Sequence, residues 1–94
     1  MSGTMDPAKR YAVYLNNLRQ KKLVDYEIVA VSEGLRHDER WTTTILFKFA
    51  LDEFKSALVP RPGGYTAIGK TKGEALTIAS FYALQHLGYI RDQD

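Results

Sequence analysis

His37 and His86 are the two side chains best suited to moving protons near neutral pH. His37 stands in the polar stretch Glu33-Gly34-Leu35-Arg36-His37-Asp38-Glu39-Arg40, where sequence neighbours on a loop do not make an oriented acid–base pair. His86 falls near the end of a helical stretch, where positive charge is favoured and packing or capping is its expected role. The serines lack a nucleophile-elbow setting. Gly69-Lys70-Thr71 looks like the end of a phosphate loop but lacks that motif's first glycine and spacing. No carboxylate cluster has metal-ligand spacing. The absence of cysteine removes disulfides, Cys-based zinc sites and thiol chemistry. These residues predict no enzymatic activity and no cofactor. What remains is charge and hydrogen bonding. Thirteen Lys and Arg against eleven Asp and Glu leave a net charge of +2, so any basic surface has to be local. Nine of these cations fall into three groups: Lys9, Arg10, Arg19, Lys21 and Lys22; then Arg36 and Arg40, with His37; then Lys70 and Lys72. They act together only if the fold brings them to one side.

The elements that position these groups are legible from local signals. Asp6 suits a helix N-cap and Pro7 the first helical position, and the helix is predicted to run to about Lys22. Tyr11, Leu15 and Leu18 form its buried stripe, with Lys9, Val13, Asn16, Asn17 and Gln20 opposite. Tyr26–Ser32 is predicted as a strand. After the loop, a second strand sets Trp41, Thr43, Ile45, Phe47 and Phe49 on one face, and Thr42, Thr44 and Lys48 on the other. Leu51–Val59 is ambiguous: Leu51, Phe54 and Leu58 have helical spacing, but a continued strand is possible. Pro60-Arg61-Pro62-Gly63-Gly64 is a loop, and Tyr65–Ile68 a short third strand. Thr71 and Glu74 form a capping box for a helix from Lys72 to His86 or Leu87, stopped by Gly88.

Ninety-four residues suit one domain, expected over 6–88. Residues 1–5 are set aside as an unstructured start or expression scar, and 89–94 as a short polar tail. No apolar run approaches membrane length and nothing has signal-peptide form. The expectation is an intracellular chain with no membrane partner. The order α-β-β-β-α implies an α+β fold, a three-stranded antiparallel sheet with both helices on one face.

This order and four segments together resemble a double-stranded RNA-binding domain, over about Pro7 to Leu87. Leu15-Asn16-Asn17-Leu18-Arg19-Gln20-Lys21 resembles that family's first-helix pattern L-N-E-x-x-Q-K. Tyr26-Glu27-Ile28-Val29 looks like its first strand. The stretch from Gly34 to Trp41 is similar to its G-P-x-H-x-x-x-F loop and strand entry. Gly69-Lys70-Thr71-Lys72-Gly73-Glu74-Ala75, with Ala79-Ser80 and Ala83-Leu84, resembles its G-x-S-K-K-x-A-K…A-A…A-L. The resemblance implies recognition of duplex RNA by shape, across two successive minor grooves and the phosphates between them. It implies that Asn17, Gln20 and Lys21 serve one minor groove and Arg36 and His37 the next. Lys70 and Lys72 hold phosphates at the start of the last helix. The resemblance also implies a module of a larger RNA-processing enzyme or ribonucleoprotein.

The chain departs from the family in ways that matter. Asn17 replaces a Glu, Leu35 a Pro, and Gly73 and Leu76 stand at two lysine positions. The connection between the second and third strands is longer by about a dozen residues, around Ala50–Gly63, a length that is often functional. The last helix carries Leu76, Ile78, Phe81, Tyr82, Leu84 and Leu87 almost all round. Either the long connection covers Phe81 and Tyr82, or Leu76, Phe81 and Tyr82 form a partner surface. The alternative function is therefore a protein-interaction or homodimerisation module with weak or no RNA binding.

Overall fold

A computed structural model of the chain describes residues 10–34, 38–52, 54–58 and 63–90. Helix α1 (Tyr11–Gln20) buries Tyr11, Leu15 and Leu18, the predicted stripe. Its predicted start at Asp6 and Pro7 lies outside the described residues. The helix stops at Gln20 rather than near Lys22, because the chain closes a left-handed cap. The Leu23 N–H donates to the Leu18 carbonyl and the Lys22 N–H to that of Arg19, both at 3.0 Å. Lys22 takes the left-handed position, with φ 63°, where glycine is the usual occupant. Helix α2 (Lys72–His86) has the predicted bounds, and the Glu74 N–H donates to Thr71 Oγ1 at 3.0 Å. It ends in the same type of cap, here with Gly88 at φ 83°.

Strand β1 (Val24–Glu33) begins two residues before its predicted start, and β2 (Arg40–Leu51) is the central strand. The two pair antiparallel along their whole length. The third position in the sheet is shared. Strand β3 (Ala57–Leu58) pairs with the end of β2, and β4 (Tyr65–Gly69) with its beginning. Ala50 faces Leu58, whereas Ile45, five residues earlier, faces Tyr65, seven later. The segment between β3 and β4 thus takes up two extra residues.

A bulge in β2 corrects the predicted strand faces. Asp25 pairs with Phe49 but Tyr26 with Phe47, so Lys48 is an extra residue. Trp41, Thr43, Ile45 and Phe47 share the face of the fully buried Ile45 and Thr43. Beyond the bulge, Ala50 takes the inner side and Phe49 turns outward, half-exposed. The described residues of the 51–59 stretch are strand and turn, not helix. Asp52–Ser56 is a tight turn that returns the chain into β3. The described part of the connection thereby lengthens a hairpin.

The core lies between the sheet and the helices. Ala75, Ala79 and Ala83 are wholly buried, letting α2 sit close on β2 and β4. An aromatic row crosses the inner face: Tyr26 to Phe47 at 5.5 Å, Phe47 to Tyr65 at 5.5 Å, Tyr65 to His86 at 5.6 Å. The Tyr65 hydroxyl and His86 Nδ1 are also hydrogen-bonded, so His86 packs near the helix end as expected. The Arg19 guanidinium covers Tyr26 at 4.8 Å. Burial pushes the Tyr26 phenol above its ordinary pKa, and Arg19 opposes the shift. The packed unit continues past Gly88: Ile90 is buried, and Tyr89 lies against Tyr14.

Candidate nucleic-acid interface

The predicted contact residues occupy two ends of the sheet. At one end, Trp41 pairs with Gly69, so the last residues of the β1–β2 connection meet the entry to α2. Asp38, Glu39, Arg40, Gly69, Lys70 and Glu74 line an open cleft of about 310 Å³ there. Gly69 is required by close approach: a Cβ on it would come within 2.7 Å of the Ala75 nitrogen. Lys70 and Lys72 are exposed on either side of the capping Thr71. Glu33, Asp38, Glu39 and Glu74 stand among these cations, four carboxylates against Arg40, Lys70 and Lys72. The loop's remaining charges, Arg36 and His37, lie outside the described residues. A carboxylate beside a cation competes with any anion for it.

The other end is built by the α1 cap. Leu51 N–H donates to the Leu23 carbonyl at 3.0 Å, which ties the α1–β1 turn to the end of β2. Asn17, Gln20 and Lys21 are exposed on α1 and its cap, as predicted. Asn and Gln offer both donors and acceptors, which suits 2′-hydroxyls and base edges. Arg19 is engaged elsewhere, with Asp25 at 3.7 Å and the Tyr26 ring. The two ends are separated by the run of β2 from Trp41 to Leu51, ten residue steps or about 33 Å at strand rise.

The expected partner surface on α2 is corrected by its packing. Phe81 is only 3% exposed, its ring edge-on to Tyr11 at 5.0 Å, so α1 covers it. Leu76 is partly buried against the core. Tyr82 alone of the three is exposed. A different apolar area is open. The face of the sheet away from the helices aligns Val29 with Thr44 and Thr66, and Val31 with Thr42 and Ile68. Val29, Val31 and Ile68 are each about half exposed.

Sequence reasoning gave no contact role to Lys22, Phe54 or Lys55 at the α1-cap end. Helical spacing in 51–59 obscured the turn that carries Phe54 and Lys55. The signal that could have found that turn is Asp52, a residue type that hydrogen-bonds the backbone ahead of it and so starts turns. Among the described residues no group of His, Cys, Asp or Glu could hold a metal ion, and no helix is long and apolar enough to cross a membrane. No protein-family model, curated protein or solved structure matches this chain.

Proposed function

We propose that this chain binds double-stranded RNA by shape, with little sequence preference. The observation that supports this best is the placement of two polar and basic surfaces at opposite ends of one sheet, with the two helices between them. Successive minor grooves of a duplex lie about one helical turn apart, and a shape-reading module has to reach both. In this reading Asn17, Gln20 and Lys21 enter one minor groove. Arg36 and His37 enter the next, and Lys70 and Lys72 hold the intervening phosphates. The carboxylates around Lys70 keep the affinity modest, and the phosphate contacts make it salt-dependent.

The test is titration of a 20-base-pair RNA duplex into the protein at low and moderate salt, with duplex DNA of the same sequence as control. Salt-sensitive binding of RNA and not DNA is the expected result. Equal binding of both nucleic acids, or no binding at low salt, sinks the reading. A second reading, protein contact or dimerisation, is favoured by the open apolar face of the sheet. It predicts a concentration-dependent dimer by sedimentation together with the absence of RNA binding.

A further inference from the structure

The turn between β2 and β3 is unusually well held for a loop tip. Asp52 Oδ1 accepts from the Phe54 N–H at 2.9 Å and the Ser56 N–H at 2.8 Å. The Asp52 N–H donates to the Ser56 carbonyl, and the Asp52 carbonyl accepts from the Lys55 N–H and the Tyr89 hydroxyl, each at 2.9 Å. What this frame presents is Phe54, 79% exposed, the most open large apolar side chain among the described residues. The backbone beneath the ring is held by these bonds, so docking on it orders little more of the chain.

The neighbours of Phe54 say what docks. Lys55 sits beside it in the left-handed region, φ 65°. The adjoining α1–β1 turn, tied on through Leu23 and Leu51, holds Lys22 in the same region, and Lys21 is exposed next to it. Glycine fits such backbone better than lysine, so both turns place a cation where folding favours none. The Asp52 carboxylate is turned into the turn by its two N–H donors. Three exposed lysines and one presented ring are the elements of a single-strand nucleic-acid platform, in which a base stacks on the ring and cations track the phosphates.

We propose that Phe54, with Lys21, Lys22 and Lys55, binds an unpaired nucleotide run where it leaves a duplex. The proposal rests on the duplex-RNA reading, and it narrows the ligand to a duplex with a single-stranded extension. Lys21 is common to both surfaces, which makes them continuous.

The experiment compares three RNA probes: a blunt 20-base-pair duplex, the same duplex with a six-nucleotide 3′ extension, and a twelve-nucleotide single strand. Each is titrated into the wild-type chain, Phe54→Ala and Phe54→Trp. The extension is expected to tighten wild-type binding about fivefold or more, from one stacked base. Phe54→Ala loses that gain and binds the blunt duplex as before, while Phe54→Trp retains it. Because Phe54 is exposed, neither variant should unfold, and circular dichroism checks this. An extension that adds nothing, or adds as much to Phe54→Ala, overturns the proposal and leaves the duplex reading standing. Phe54-dependent binding of the single strand, with the blunt duplex unbound, upholds the platform and overturns the duplex reading. Binding of none of the three probes overturns both.

Discussion

The two ends of the sheet carry similar numbers of cations and use them differently. At the α2 entry, Arg40, Lys70 and Lys72 are interleaved with Glu33, Asp38, Glu39 and Glu74. At the α1 cap, Lys21, Lys22 and Lys55 flank an exposed ring, and Asp52 is occupied by backbone donors. A cation among carboxylates is already partly neutralised. It gives less to an incoming phosphate than one facing water alone. The difference teaches that a count of lysines in a motif measures phosphate binding poorly. Among the described residues, Lys70 shares its cleft with Asp38, Glu39 and Glu74, whereas the described carboxylate beside Lys55, Asp52, is engaged by the turn's own N–H groups.

Reversing charge at the α2 entry separates the ends most strongly. Lys70→Glu with Lys72→Glu is expected to weaken duplex RNA binding tenfold or more at moderate salt, and to flatten the salt dependence of Kd. Filter binding across a salt series checks it, and an unchanged slope would move the phosphate contacts to the other end.

A smaller effect belongs to Asp52. Asp52→Ala hands two backbone N–H donors of the turn to water and is expected to cost about 1 kcal/mol of stability, read by urea denaturation. The same variant should lose the gain from a single-stranded extension when assayed while still folded. A loss of stability with the gain intact would show that the turn serves folding alone.

The smallest expected change is at the α1 cap. Lys22→Gly relieves a left-handed lysine and should raise stability by about 0.5–1 kcal/mol. It should weaken binding of the extended duplex severalfold at most. A rise in stability without any weakening would remove Lys22 from the platform.

Legibility in the sequence followed the range of each signal. Helix α2 is legible at both ends because Thr71, Glu74 and Gly88 act within a single turn of chain. The buried stripe of α1 is legible for the same reason, since Tyr11, Leu15 and Leu18 repeat at helical spacing. The outward turn of Phe49 is not. A strand's alternation is blind to one extra residue, and the bulge at Lys48 is defined only by pairing with β1. The apolar look of α2 misled because α1 covers Phe81, a contact between residues 70 positions apart. At the candidate interface, Asn17, Gln20, Lys21, Lys70 and Lys72 are exposed as expected. Lys22, Lys55 and Phe54 depend on two turns meeting through the Leu51–Leu23 hydrogen bond, and no local pattern encodes that meeting.

The bulge bears on which insertions and deletions the gene can tolerate. Loss of Lys48 alone would return β2 to plain alternation with Phe49 still outward and Ala50 still inward, forfeiting the exposed pair with Glu27 at 3.3 Å. Loss of one residue between Arg40 and Phe47 would instead move one part of the strand to the opposite face, exchanging its inward and outward side chains. Along twelve residues of β2, the bulge at Lys48 and Phe49 is where loss of one residue leaves every inward side chain where it is.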